Sequence, residues 1–435
     1  MPVVLDSRKS GFPVRFREFL EERRGFAVGV DDQVAAIIED VRLRGDDALI
    51  ELTRKHDRFE ATPESIQMNG AEISEVAATV PPGQRSALSA AAERIAAYHK
   101  RQIPEDVHWV DEAGAALGWR WTALASVGLY APGGSASYPS SVLMNAIPAK
   151  LAGVDAIAIA APTPDGKISP LLALAAELSD VQRIYRVGGA QAIAALALGT
   201  NTVDRVDKIT GPGNAYVTAA KRQLFGTVGI DMIAGPSEVV VIADDNANPT
   251  WIAADLLAQA EHDRDAQAVL LTTCSEIADT VEREVKRQLT LLSRASIAAE
   301  SWNRHGAIMF VRDINEAAEL SDRIAPEHLQ LCVSDPGVLA EKVRHAGAIF
   351  LGEWSPEVIG DYVAGPNHVL PTSGAARFSS GLSVLDFMKR TSMVELSREA
   401  FGKIGPPAET LALAEGLSGH GAAVRCRLER WRNAH

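Results

Sequence analysis

The sequence predicts an α/β protein built on two parallel-rich sheets, and three observations carry that prediction. From Ala125 onward, short apolar runs rich in β-branched residues alternate with Ala-rich helical segments. That is the rhythm of strands buried on both faces and linked by crossover helices. Aromatic residues make up only 6% of the chain, which favours helix-rich layers over an all-β sandwich. A length of 435 residues corresponds to two or three domains at roughly 150 residues each. With 47% hydrophobic residues, the cores need no disulfide staples.

Taken in order, the first hundred residues read as helix. Asp32 to Lys55 carries Val34, Ile37, Ile38, Val41 and Leu49 at helical spacing, and Pro82 opens a second amphipathic stretch that runs to Lys100. Strands are then predicted at Ser126–Tyr130, Ala156–Ala160, Arg183–Val187, Asp207–Thr210, Val239–Ala243, Ala268–Thr272, Ala307–Phe310, Leu329–Val333 and Ala348–Leu351. These are more than one compact sheet comfortably holds, so two are expected, with Gly235-Pro236-Ser237 as the crossing point. After Asp386 the strand signal vanishes. Lys389 to His435 reads as helices broken at Gly405-Pro406-Pro407. No internal repeat or low-complexity linker is present.

Composition excludes several function classes. A formal net charge of −13, without a clustered basic face, argues against nucleic-acid and anionic-membrane partners. The three cysteines, Cys274, Cys332 and Cys426, are too few and too scattered for a disulfide framework or a thiolate zinc site. Cys274 and Cys332 sit in apolar runs and read as buried structural thiols. Met1 to Lys9 lacks an apolar signal core, and no window reaches the ~18 apolar residues of a membrane span. A soluble, cytoplasmic protein is the expectation.

Three Gly-rich turns follow predicted strands: Pro132-Gly133-Gly134-Ser135, Gly188-Gly189-Ala190-Gln191 and Gly211-Pro212-Gly213-Asn214. Glycine lets backbone approach a ligand closely, and a helix that starts just afterwards aims its N–H groups at an anion. Tight βα turns also use glycine for purely structural reasons. None of the three is a G-x-G-x-x-G fingerprint, because Tyr216 stands where the third glycine belongs.

Two polar constellations stand out among the ten histidines. His56, His99, His305, His345 and His435 lie among charged residues or at segment ends, where solvated or capping roles are the default. Gln259-Ala260-Glu261-His262 ends an amphipathic helix, and a spacing of three puts Gln259 and His262 on one face, within reach of one cation. Asp361, Asn367-His368, Glu415 and His420 follow in the C-terminal part. Their N and O donors suit zinc, but no H-E-x-x-H or cysteine cluster anchors them, and satisfied polar groups are the competing reading. Glu327-His328 follows Pro326 at the edge of an apolar strand. An adjacent acid and imidazole there can serve as a proton-transfer pair or stand as a polar pair facing water.

The segments Val187-Gly188-Gly189-Ala190-Gln191, Gly211-Pro212-Gly213-Asn214-Ala215-Tyr216, Gly235-Pro236-Ser237-Glu238, Gln259-Ala260-Glu261-His262, Ala325-Pro326-Glu327-His328-Leu329 and Gly365-Pro366-Asn367-His368 resemble those of the histidinol dehydrogenase family in order and spacing. The resemblance runs over nearly the whole chain. It implies an NAD-dependent, four-electron oxidation of L-histidinol to L-histidine through the aldehyde, in histidine biosynthesis. It implies one zinc per subunit, held by Gln259, His262, Asp361 and His420, with Glu327 and His328 as proton acceptors. Ser237, His368 and Glu415 match further substrate contacts beside Gln259, His262, His328, Asp361 and His420, and Tyr130, Gln191 and Asn214 match the NAD contacts. In fold, it implies two incomplete Rossmann-like domains with helical N- and C-terminal extensions. The boundaries are 1–24, 25–129 with 239–381, 130–238, and 382–435. It also implies a homodimer whose C-terminal segments complete the partner's site.

Three rivals remain: a related enzyme acting on another small polar alcohol, a zinc hydrolase with Glu327 as base, and a nucleotide-binding α/β protein without catalysis. Glu415 as an amino-group contact counts against the first, the glycine turns against the second, and the Glu327-His328 pair against the third.

Overall fold

The computed structural model of the chain describes residues 1–22, 29–132 and 138–432. The chain divides into two compact units, Met1–Gln102 with Ala125–Phe387, and Ile103–Leu124 with Met388–His435. Among the described residues, fifteen strands run in chain order. Four come early: β1 (Val3–Asp6), β2 (Gln67–Asn69), β3 (Val107–Val110) and β4 (Ala115–Ala123). Next are β5 (Ser126–Tyr130), β6 (Ala156–Ala160), β7 (Arg183–Tyr185), β8 (Lys208–Thr210) and β9 (Gly229–Ile230). Then follow β10 (Glu238–Ala243), β11 (Gln267–Thr272), β12 (Ala307–Phe310), β13 (His328–Cys332) and β14 (Ala348–Leu351), and last β15 (Met388–Leu396).

The larger unit holds two six-stranded sheets. The first has the order β1-β12-β11-β10-β13-β14 and is parallel throughout. The second has the order β2-β7-β6-β5-β8-β9, parallel except for the antiparallel edge strand β2. Two parallel α/β sheets were expected, and all nine predicted strands are present within one or two residues of their predicted ends. The chain crosses between the sheets at Gly235-Pro236-Ser237, between β9 and β10.

The all-apolar runs follow from burial on both faces. In β10, Val239, Val241 and Ala243 enter one core with Leu256, Leu270 and Trp302. Val240 and Ile242 enter another on the opposite face, with Phe16, Val269 and Leu331. Side chains alternate across a strand, so a strand with two covered faces cannot show polar alternation. The helices Asp31–Arg44 and Asp46–Asp57 cover the second sheet, with Val34, Ile38 and Leu49 packed among Tyr130, Ile193 and Ile209. Gly45, at φ +56°, separates these two helices where one was expected.

Three corrections come from the N-terminal hundred residues and the C-terminus. The first hundred residues hold strands β1 and β2 as well as helices; both are short edge strands. In the smaller unit, β3, β4 and β15 form an antiparallel sheet in the order β15-β4-β3. Lys389 to Leu396 is therefore strand and not helix. Most side chains of this sheet are partly or fully exposed, so no apolar alternation announces it. Cross-strand contacts hold it instead: Trp109 meets Trp119 edge to face at 5.6 Å and the Arg390 guanidinium lies 5.4 Å from the Trp119 ring. The helix Arg398–Ala414 runs through Pro406 and Pro407 without a break. The next helix, Ser418–Arg432, packs closely on it: a Cβ on Gly405 would lie 2.9 Å from Leu428.

Candidate functional site

The first sheet carries its polar residues at the amino ends of β10 and β13. The helix Ile314–Ile324, capped by Asp313, ends at Ala325, which is buried and left-handed at φ 52°, ψ 64°. A non-glycine residue there costs on the order of 1–3 kcal/mol, and it turns the chain sharply through Pro326 into β13. Glu327 lands at the strand's edge and His328 is its first residue. Because side chains alternate, His328, Gln330 and Cys332 face the helix Pro249–Ala260, while Leu329 and Leu331 enter the opposite core.

Glu327 and His328 are buried at 5% and 4% exposure, which decides against a polar pair facing water. Glu327 Oε2 accepts the Glu238 N–H at 3.0 Å and also interacts with the Ser237 side chain. His328 Nδ1 lies 3.9 Å from Glu327 Oε2 and 3.7 Å from Glu357 Oε1, and its Nε2 lies 4.0 Å from Asp361 Oδ1. Glu357 and Asp361 occupy one face of the short helix Glu357–Tyr362. Gly360 between them allows close approach, since a Cβ there would lie 2.6 Å from the Phe350 ring. That ring also touches His328, with centroids 6.0 Å apart.

His262 stands just beyond the helix Pro249–Ala260, its N–H bonded to Gln259 O at 3.2 Å. Its Nε2 lies 3.9 Å from Asp361 Oδ2. Donor atoms of His262, Glu357 and Asp361 fall within 4.8 Å of one another. His368 Nδ1 donates to the Asp361 carbonyl at 2.9 Å. This segment is clamped from behind. Arg94 donates to the carbonyls of Val363 and Ala364, and Asn367 donates to Met144 O at 2.6 Å and contacts His99 Nε2 at 3.3 Å. His99, expected in a solvated or capping role, is buried at 0% exposure; its Nδ1 meets Gln102 Oε1 at 2.6 Å, so it is a structural residue at a helix end.

The electrostatics share one cause. Burial pushes the Glu327 carboxyl well above the carboxylate range, helped by Asp361 and Glu357. Burial and Asp361 do the same to Glu357, and burial lifts Asp361 to about 6. Burial pulls His328 down to about 3, helped by His262 and His368, and pulls His368 down to about 4. Carboxyls that resist ionising beside imidazoles that resist protonation describe a dry cluster short of positive charge. A divalent cation would supply that charge and find neutral imidazoles ready to ligate. Gln259 fits the same group: it is fully buried, and neither side-chain amide atom has a hydrogen-bond partner among the described residues. Glu357 is the residue that sequence reasoning missed; its signal was the spacing of four from Asp361 within Pro356-Glu357-Val358-Ile359-Gly360-Asp361.

The second sheet presents its candidate residues at strand carboxyl ends. Tyr130 closes β5, buried, and its hydroxyl accepts the Gly189 N–H at 3.0 Å. Gln191 is buried in the first turn of the helix Gly189–Leu198. Asn214 caps the helix Ala215–Leu224 by accepting from the Tyr216 and Val217 N–H groups. Gly211 sits at φ +111°, and a Cβ there would lie 2.2 Å from Tyr130 O; only glycine serves. Gly133, Gly134 and Ser135 of the remaining predicted turn lie outside the described residues.

Glu415 and His420 belong to the smaller unit. Glu415 follows the helix Arg398–Ala414, and His420 is exposed near the start of Ser418–Arg432. Of the cysteines, Cys332 is buried, Cys274 half-buried and Cys426 exposed, all free.

Comparison with known proteins accords with this geometry. The histidinol dehydrogenase family model matches residues 21–428. The chain is 58% identical to the histidinol dehydrogenase of Cereibacter sphaeroides over 430 residues, 99% of each chain, and 58% identical to that of Ruegeria pomeroyi, again over 99% of each. The crystal structure of histidinol dehydrogenase from Elizabethkingia anophelis superposes with a TM-score of 0.94 at 37% identity, covering 99% of both chains. With family model, relatives and fold in agreement over nearly its whole length, the chain belongs to the histidinol dehydrogenase family, the NAD-dependent oxidoreductases of histidine biosynthesis.

Proposed function

We propose that this chain oxidises L-histidinol to L-histidine in two successive steps through the aldehyde, with two NAD and one zinc. The observation that carries the reading is the buried Glu327-His328 pair beside a donor set, His262 and Asp361 with the orphaned Gln259 amide, suited to one cation.

Gln259, His262 and Asp361 would hold the zinc, with His420 as fourth ligand. The ion supplies a fixed charge that orients the substrate's imidazole and amino nitrogens. NAD supplies the hydride acceptor in each oxidation. The protein's own groups handle protons and position. His328, kept neutral by burial, takes the proton of the alcohol while the carbinol carbon gives up its hydride. Glu327, held in place by the Glu238 N–H, takes a proton from the water that adds to the aldehyde, and the resulting hydrate loses the second hydride. Ser237 and His368 line the substrate position. Tyr130, Gln191 and Asn214 contact the nucleotide at the strand ends of the second sheet.

Glu415 and His420 would complete the site of a second copy in a homodimer. Their exposure on the smaller unit supports this, together with the exposed apolar side chains of Leu411, Leu413 and Leu417 beside them.

The test is purified protein with limiting L-histidinol and excess NAD. Two NADH per histidinol are expected, with activity lost on chelation and restored by zinc. One NADH per substrate would make it a simple alcohol dehydrogenase, and none would overturn the reading.

A further inference from the structure

The buried carboxylate of Glu357 is one that the chemistry above does not use. It is 1% exposed, and among the described residues neither of its oxygens has a hydrogen-bond partner. An acid left so is costly, and the groups around it explain what it faces. Asp361 lies four residues on along its own helix, and buried Asp255 acts on it from the helix Pro249–Ala260. Glu357 is hydrogen-bonded to neither of them. Two imidazoles lie near it: a His262 ring nitrogen within 4.8 Å and, nearer, His328 Nδ1, which is likewise buried and unbonded, 3.7 Å from Glu357 Oε1.

Two carboxyls contend for that ring nitrogen. Glu327 Oε2 lies slightly farther off, at 3.9 Å, and is already bonded to the Glu238 N–H. Glu357 has both oxygens to give. The gap to Nδ1 is about 1 Å beyond a hydrogen bond, a distance that contacts of this kind close when substrate fills the site. Holding Nδ1–H leaves the lone pair on Nε2, the nitrogen directed towards Asp361 and the cation donors. A carboxylate that fixes an imidazole tautomer in this manner is a recurring device of proton-transfer sites.

We propose that Glu357 is a positioning residue that acts through His328: it orients the ring, sets its tautomer with the proton on Nδ1, and is not itself a metal ligand. This rests on the reading of His328 as the acceptor of the alcohol proton.

The test is a double-mutant cycle on the zinc-loaded enzyme with L-histidinol and NAD. Glu357→Gln keeps size and loses charge. It is expected to lower kcat about 10- to 100-fold, with KM for L-histidinol and zinc content unchanged. Added to His328→Asn, the same change is expected to cost nothing further, because its route of action is already gone. Glu357→Asp, with the charge kept and the reach shortened, should fall between wild type and Glu357→Gln, and it carries the cycle if Glu357→Gln does not fold. Loss of zinc in Glu357→Gln would make Glu357 a ligand. Equal losses with and without His328 would make its role generally structural. Either result overturns the proposal while leaving the histidinol reading intact. A wild-type enzyme inactive on L-histidinol overturns both.

Discussion

The two six-stranded sheets are wound alike, and their candidate residues lie at opposite ends. In each, three successive strands step away from a central one, β5-β6-β7 and β10-β11-β12, and the next pair returns to its other side, β8-β9 and β13-β14. Each therefore has a topological switch point, between β5 and β8 and between β10 and β13. In the second sheet the candidate nucleotide residues lie at the carboxyl side of that point, where open α/β sheets ordinarily bind ligands. In the first sheet the candidate chemistry lies at the amino side, with Ser237 before β10 and Glu327 at the start of β13. Its carboxyl side is closed by its own bonds: Asp244 accepts from both the N–H and the hydroxyl of Ser334 at 2.7 Å. Glu353, which follows the Gly352 turn after β14, accepts the Asn248 N–H at the same end, so with Asp244 and Asp245 this end has the wrong charge for a pyrophosphate. Topology offers sites, and the residues at the strand ends decide which are used.

If the division holds, changes at the two ends separate kinetically. The largest effect is expected from His328→Asn, which should lower kcat about 10²- to 10⁴-fold with little change in KM for NAD. A KM for NAD that moved as far as kcat would merge the two ends. At the other end, Gly211→Ala drives a methyl into Tyr130 O. It should raise KM for NAD about tenfold or more and leave zinc content untouched; an unchanged KM would remove this turn from the nucleotide site.

The smallest effect sharpens what lies beneath the candidate catalytic end. Asp255 is bonded to Gln330 at 2.7 Å, and burial lifts its carboxyl from 3.8 to about 6. The folded state thus holds a proton that the unfolded state has lost, so stability falls as pH rises from about 4 to 6. The loss is at most about 3 kcal/mol. Asp255→Asn should recover most of it at pH 7 and change nothing below pH 3.8, read from urea midpoints of the zinc-free protein at both pH values. A gain equal at both pH values would mean that packing, and not ionisation, sets the cost.

Nine strands of the two sheets were legible because each is a short run with buried apolar residues punctuated by glycine or proline, and so was the crossing at Gly235; the short edge strands β1, β2 and β9 were not. The exposed sheet of β3, β4 and β15 was not, since pairing without burial leaves no pattern in one strand. Nor did the stripe of Val34, Ile38 and Val41 say which sheet it covers; amphipathicity marks a buried face and not its neighbour. Within the site, Glu327-His328 stood out as a pair. Glu357 did not, because its importance comes from burial and from one nitrogen of His328 and its own two oxygens left unbonded across chain segments about thirty residues apart. The burial of His99 was hidden for the same reason, since the Asn367 amide that it meets in space lies far along the chain.

The pairing of Val3 with Ala307 sets a timetable. During synthesis, β5 to β9 leave the ribosome as a nearly continuous stretch and can pair at once, whereas β1 must wait for β12, roughly 300 residues later. At ~5–20 residues per second that is on the order of 15–60 s. Throughout it the helix Phe12–Glu22 carries Phe12, Phe16 and Phe19 with no core to receive them. The amino-terminal segment thus carries uncovered aromatic rings through that interval and joins the first sheet only once β12 has been made.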